Sequence, residues 1–268
     1  MKFTPSPMTG VALSLACLSF SSNALAEASD TLWPVLKESF FAGKNIEPVD
    51  YIKLEGPPKR AESGAQVPLT LTIDKPLTAA DAIRKVYLFV DANPIPLAAI
   101  YHFTPLSGKA QLSTRIRLET DSHIHAVGET ADGKLVMSAI TIRASGGCGG
   151  PVEGDESAIR AASGKIKMSV EQPIKFGESN PATVMIKHPM FTGLQRDLVS
   201  GGYRPAFYMK NLDISYNGQP VMNVEFGVGT AEDPYLRFFY VPETAGAMNV
   251  KATDNEGKEF IHQIEVKS

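Results

Sequence analysis

The stretch NLDISYNGQPVMNVEFG, Asn211 to Gly227, decides the fold. On both sides of Asn217-Gly218, apolar and polar residues alternate with the period of two that belongs to a strand with one buried face. Asn-Gly accepts φ > 0 at both central positions of a two-residue turn, so the stretch predicts a tight antiparallel hairpin. The same grammar continues outward through KIKMSVE (165–171), ATVMIKH (182–188), YLRFFYVP (235–242) and MNVKATDNEGKEFIHQIEVKS (248–268), where DNEG marks a second hairpin. Short strands at regular spacing, with no helical period between them, predict antiparallel sheets packed face to face.

The first half of the chain repeats the pattern. VPLTLTID (67–74), VYLFVD (86–91), AAIYHF (98–103), AQLSTRIRL (110–118), HIHAVGET (123–130) and KLVMSAITIRA (134–144) alternate between turn signals such as NPIP (93–96) and ADGK (131–134). Ahead of them, DTLWPVLKESFFAG (30–43) predicts one short helix, with Asp30 or Thr31 as cap, Pro34 in the first turn and Gly43 as stop. The expected class is all-β: two immunoglobulin-like β-sandwich domains joined by a Gly-rich arm, with a short N-terminal helix.

Between the halves lies GGCGGPVEGDESAIRAASGK, 146–165, rich in small and charged residues and poor in apolar anchors. It reads as a linker. The expected division is a signal peptide at 1–26, a first sandwich with its helix at 27–145, arm and linker at 146–163, and a second sandwich at 164–268. The signal peptide follows from Lys2, the apolar run Val11 to Phe20 and ALA ending at Ala26, a run too short to span a bilayer. A lipoprotein signal ending at Cys17 fits less well, because SLAC puts Ser and Leu where such signals carry Leu and a small residue. No later segment is apolar enough to cross a membrane, so the mature chain is expected to be soluble outside the cytoplasm.

Removing Lys2 with the signal takes the formal charge from −3 to −4, which argues against a nucleic-acid partner. Of two cysteines, Cys17 would leave with the signal and Cys148 would remain. A single thiol in an oxidising compartment cannot form an internal disulfide; it is inert, paired with another molecule or reactive. A homodimer linked through Cys148 is one such outcome.

Cys148 stands between Gly146, Gly147, Gly149 and Gly150 in SGGCGGP (145–151). Four glycines free the backbone and remove side-chain bulk, and nothing in the stretch is expected to pack. Four residues from Ala144, the thiol can stand up to about 14 Å from the first sandwich. Without a helix N-terminus or a fixed base, its acidity is expected to be that of a free thiol. A catalytic nucleophile needs a locked surrounding shell. A mobile thiol that another protein's pocket must activate suits a carrier. Arg143 and Arg160, near the arm's ends, are solvated charges or docking groups for an anionic cargo or an acidic partner.

His123 and His125 share one face of a strand, a spacing that offers two metal ligands or a half-exposed strand surface. No third ligand follows at a matching spacing, so no metal is assigned. His188 precedes Pro189 and is expected to be extended, either forming a turn or facing the arm. The aromatic residues of Tyr235 to Tyr240 read as sandwich core. CxxCH, GxSxG, HExxH, Walker and Rossmann patterns are all missing from the sequence, and no cofactor is expected.

A GGCGG arm directly after the last strand of a sandwich resembles SoxY, the subunit of the bacterial thiosulfate-oxidising complex whose arm cysteine carries covalent sulfur intermediates. KHPMFTGLQRD (187–197), NLDISYNGQPVMNVEFG (211–227) and DPYLRFFY (233–240) resemble its partner SoxZ, in the same order. In SoxY the arm ends the chain, whereas here Pro151 leads on into the second half. The chain therefore resembles the fused SoxYZ-like carriers that accompany quinoprotein dehydrogenases of the methanol and ethanol dehydrogenase kind.

The resemblance implies a periplasmic, non-enzymatic carrier with Cys148 as the covalent attachment point. It implies sulfur-oxidation enzymes or a quinoprotein dehydrogenase as partners, and face-to-face docking of the two sandwiches. Two other functions stand beside it: an interaction or maturation module for a PQQ-dependent (quinoprotein) alcohol dehydrogenase, and a thiol transferase. Tethering would hold the halves together at any dilution through effective concentration.

Overall fold

The computed structural model describes residues 1, 31–144, 146–147, 149, 155–198 and 200–267. The expected signal peptide, Cys17, Cys148 and Gly150 fall outside these.

Helix α1 (Leu32–Phe41) ends where Ala42 and Gly43 turn left-handed, φ 44° and 74°, which is the stop that Gly43 announced. Thr31 makes no capping bond with its side chain. The strands of the first half are β1 (Ile46–Pro48), β2 (Ile52–Glu55), β3 (Val67–Ile73), β4 (Ile83–Val90), β5 (Leu97–Phe103), β6 (Gln111–Ile116), β7 (Ser122–Thr130) and β8 (Leu135–Ile142). After helix α2 (Glu156–Ala162) come β9 (Ile166–Val170), β10 (Asn180–Ile186), β11 (Met209–Tyr216), β12 (Gln219–Phe226), β13 (Tyr235–Tyr240), β14 (Gly246–Asp254) and β15 (Glu259–Val266). The Asn217-Gly218 turn has φ 48° and 77°, as a two-residue hairpin requires, and β11 pairs with β12 across it.

The strands form two sheets, and each sheet runs through both halves. One has the order β1-β8-β7-β4-β5-β12-β11-β14-β15, the other β2-β3-β6-β13-β10-β9. All pairs are antiparallel except β1 with β8. Both sandwiches are present as expected, but they meet edge to edge. Strand β5 pairs with β12 from Ala99↔Phe226 to Phe103↔Met222, and β6 pairs with β13 through Ser113↔Arg237 and Thr114↔Leu236.

The expected face-to-face docking is therefore replaced by strand addition. Each half carries an open edge in both layers, and unpaired backbone groups at such edges are satisfied most completely by another strand. Gly227 shows how close the backbones come: its N–H donates to Ala98 O at 2.8 Å, and a Cβ there would lie 2.3 Å from Leu97 O. One apolar core follows the sheets without a break, from Ile52, Leu69 and Tyr101 to Leu212, Phe238 and Val266. A smaller cluster on the outer face, Phe41, Ile46, Phe89, Val127 and Leu135, fixes helix α1.

Helix α2 lies in the segment read as linker. Asp155 caps it by accepting the Ala158 N–H at 2.8 Å, and Arg160 pairs with Glu156 one turn back. None of its residues is buried, so no apolar stripe marked it in the sequence.

Candidate functional site: the root of the arm

The chain leaves β8 through Arg143 and Ala144, and its first anchor is Asp121. This buried carboxylate accepts the Ala144 N–H at 3.0 Å and pairs with Arg60 at 2.9 Å, with Arg143 at 3.6 Å. Arg60 also donates to Ala144 O at 3.2 Å, so the backbone is gripped from both sides. Two charged partners offset the cost of burying Asp121.

The glycines come next. Gly146 donates to Glu119 O at 2.9 Å, Gly147 donates to Leu118 O at 3.0 Å, and Gly149 donates to Glu119 Oε2 at 3.3 Å. The receiving segment is itself fixed. Asn93, buried, donates to Arg117 O at 2.8 Å and accepts the Glu119 N–H at 3.0 Å, while Leu118 donates to Gly64 O at 2.8 Å.

Gly146 has φ 74° and open space around its missing Cβ, so it needs glycine for its backbone angle. Gly147 needs glycine for room: a Cβ would lie 2.1 Å from Gly64 O and 2.6 Å from Leu118 O. The expectation that nothing in the stretch packs fails at this buried residue. Sequence reasoning saw four equivalent glycines because the contact partner, Gly64, is remote in the chain.

A cavity of about 610 Å³ opens beside the root. The first half contributes Gly146, Gly147 and Arg117; α2 contributes Ala158, Ile159 and Ala162; the second half contributes Lys187 to Pro189. His188 is fully buried, and its Nδ1 accepts the Met190 N–H at 3.2 Å, which leaves the ring proton on Nε2. Burial pushes the imidazole down to about 4, with Asp233 opposing the shift and Arg160 adding to it. His188 is therefore neutral at pH 7. It faces the junction, and Phe207 packs on it with ring centroids 4.3 Å apart. His188 closes a turn onto Met190, whose φ is 52°, and also lies beside the arm's root, so it fits both readings the sequence left open.

The charged residues near the arm are occupied. Arg160 bonds Glu156 at 2.8 Å and Glu256 at 2.7 Å and lies 4.1 Å above the Phe207 ring. Lys187 pairs with Asp233 at 2.8 Å, a hydrogen bond that raises the ammonium's pKa. Arg143 is turned towards Asp121. Arg160 is thus a structural partner, whereas Arg143 stays exposed to solvent while leaning on Asp121.

His123 and His125 lie apart from this site. His125 is buried, not half-exposed: its Nδ1 meets Asp91 Oδ1 at 3.0 Å, and its ring stacks on Trp33 of α1, 4.0 Å between centroids and 7° from parallel. His123 bonds Thr141 Oγ1 at 2.9 Å. Among the described residues no group of three His, Cys, Asp or Glu side chains is placed to hold a metal ion. Leu236, Phe238, Phe239 and Tyr240 are buried in the core. Among the described residues no helix is long and apolar enough to cross a membrane.

Comparison with known proteins agrees with both halves. Residues 37–148 match the family described as sulfur oxidation protein SoxY, a match whose last residue is Cys148, and residues 166–265 match sulphur oxidation protein SoxZ. No curated protein matches the chain. Among solved structures, the sulfur carrier protein SoxY from Chlorobium limicola f thiosulfatophilum is 22% identical, over 42% of this chain and 90% of that one, with a TM-score of 0.35. A superoxide reductase (neelaredoxin) from Ignicoccus hospitalis is 19% identical over 44% of this chain and 93% of its own, with a TM-score of 0.30.

Proposed function

From the premise that this chain carries a SoxY domain and a SoxZ domain in one polypeptide, we propose that it is a periplasmic carrier of sulfur oxidation. Cys148 holds sulfur intermediates through a covalent bond to its Sγ and presents them to partner enzymes. The observation that carries this reading is the site's position. Gly146 and Gly147, the two glycines before Cys148, line a cavity together with residues of the second half, so the root of the arm lies where both matched families meet.

The chemistry fits a carrier. The described surroundings of the root offer a neutral, buried imidazole and cations already held by carboxylates. The chain then acts by holding and presenting cargo, and turnover belongs to the enzymes it visits. The cavity beside Gly146 and Gly147 is large enough to take a small sulfur oxoacid or sulfane group when the arm is idle. Its partners are periplasmic sulfur-oxidation enzymes or a quinoprotein dehydrogenase.

The test is the mass of the Cys148 peptide in protein isolated from its own host without reductant. A persulfide, thiosulfonate or related adduct released by dithiothreitol is expected. A uniformly bare thiol, in cells that express the protein under sulfur-oxidising conditions, would overturn the carrier role. A complex with a dehydrogenase that survives Cys148→Ser would then support the interaction module.

A further inference from the structure

The six-stranded sheet turns one face to the core and the other outward, and both halves build the outer face. Across the β6–β13 seam, Arg115 of the first half lies 5.0 Å over the Tyr235 ring of the second, and Lys109 lies 5.3 Å over Phe239. We propose that this face docks an acidic protein partner, with Arg115, Lys165 and Lys167 meeting its carboxylates. The proposal deepens the carrier reading by naming the charge of the surface that a visited enzyme presents.

Register sets the charges in rows. Tyr235 stands opposite Met185 and Met185 opposite Lys167, while Arg115 reaches Tyr235 across the seam. On one side of this row, Ser113, Arg237, Thr183 and Ser169 run across the same strands. On the other, Lys187 lies beside Lys165, to whose carbonyl it donates at 2.8 Å. Lys187 is held by Asp233 and Arg237 by Glu171, each at 2.8 Å. Among the described residues Arg115, Lys165 and Lys167 form no ion pair, and both lysines are exposed.

Unpaired cations gathered on one face of a chain of formal charge −3 make a local field opposite in sign to the whole. An acidic surface is drawn to this face and repelled by the rest. Arginine beside tyrosine is the pairing that protein interfaces favour. Held flat on Tyr235, the Arg115 guanidinium loses little freedom when a carboxylate arrives.

Size sets the lifetime of the contact. Five strands and three rows span about 19 Å by about 13 Å, well under the roughly 800 Å² per partner of a stable interface. Such a contact is brief and salt-sensitive, which suits a carrier that must leave each enzyme. The face also ends at the junction cavity, whose wall includes Arg117 and Lys187, so a docked partner lies beside the root of the arm.

The test uses the full chain carrying Cys148→Ser, with fluorescein-labelled poly-L-glutamate as the acidic polypeptide, read by anisotropy. Binding is expected at about 20 mM salt and should weaken at least about tenfold at about 200 mM. Arg115→Glu with Lys167→Glu is expected to weaken low-salt binding by about tenfold or more. Lys210→Glu with Lys251→Glu, the same charge change on the nine-stranded sheet, is expected to leave it unaltered. Where Arg115→Glu disturbs the seam, Lys165→Glu with Lys167→Glu, both on exposed residues, gives the same comparison.

Absence of binding in the parent chain, or equal losses in the two sheets' variants, would overturn the docking face. Tighter binding to phosphatidylglycerol vesicles than to polyglutamate would also overturn it, by assigning the face to a lipid surface. No readout involves Cys148, so failure here and a bare thiol in the isolated protein are separate results.

Discussion

His188 is the most strained protonation state near the site. Its folded-state pKa of about 4 lies below the ordinary 6.5, so the unfolded chain binds a proton that the folded chain refuses across that window. Stability is complete above pH 6.5 and falls as the pH drops towards 4, by up to about 3 kcal/mol from this residue. Urea midpoints measured from pH 7 to pH 4 should show this fall in the wild type and a shallower one in His188→Gln. Equal slopes would mean that the imidazole titrates freely. In the sequence, KHPM marked an extended residue that forms a turn or faces the arm but did not show its burial, because burial here depends on Phe207 and the cavity wall rather than on neighbours along the chain. The same limit applies to His125. Alternation placed it beside His123 on one face, but the Trp33 ring that covers it comes from a helix in another segment. Asp121 shows the converse: an acidic residue in a turn looks ordinary until Arg60 and Ala144 converge on it. Asp121→Ala is expected to leave Arg60 without its buried partner and lower stability by about 2 kcal/mol, measured by denaturant unfolding.

At the scale of elements, the long strands were readable and the short ones were not. β3, β6, β10 and β14 alternate buried and less buried residues over six or more positions. IEP and IKLE, β1 and β2, offer three and four residues, too few for a period of two to show. Helix α2 carried a legible start, Asp155 before Glu156 and an alanine-rich turn, but it presents no apolar stripe. Its end is set by Gly164, with φ 91° and a missing Cβ that would lie 1.9 Å from the Phe260 ring. Gly164→Ala is therefore expected to cost about 3 kcal/mol and to loosen the cavity wall formed by Ala158, Ile159 and Ala162. Asp155→Ala, which removes only the cap, should cost about 1 kcal/mol. Thermal or urea unfolding of the two variants compares them, and a larger effect at Asp155 would contradict the packing role given to Gly164.

The whole molecule is one double-layered sheet system assembled from two sandwich patterns. Alternation reveals which face of a strand is buried and is silent about which strand lies beside it, so the β5 to β12 and β6 to β13 pairings could not be read from the sequence. With both layers and one core continuous across the junction, unfolding should be a single cooperative transition. Calorimetric and van't Hoff enthalpies should agree, and two resolved transitions would show that the halves melt independently. Pieces comprising 27–145 or 164–268 alone would expose strand edges in both sheets and are expected to aggregate or to unfold at lower temperature.

The shared sheets also bear on supply. When two separate chains must complete each other's edges, any imbalance in their synthesis leaves one with bare backbone and no mate. Here a single ribosome product delivers β5 with its β12, and β6 with its β13, in equal number. Neither half can be made in surplus, and a damaged half is always inherited together with its own counterpart.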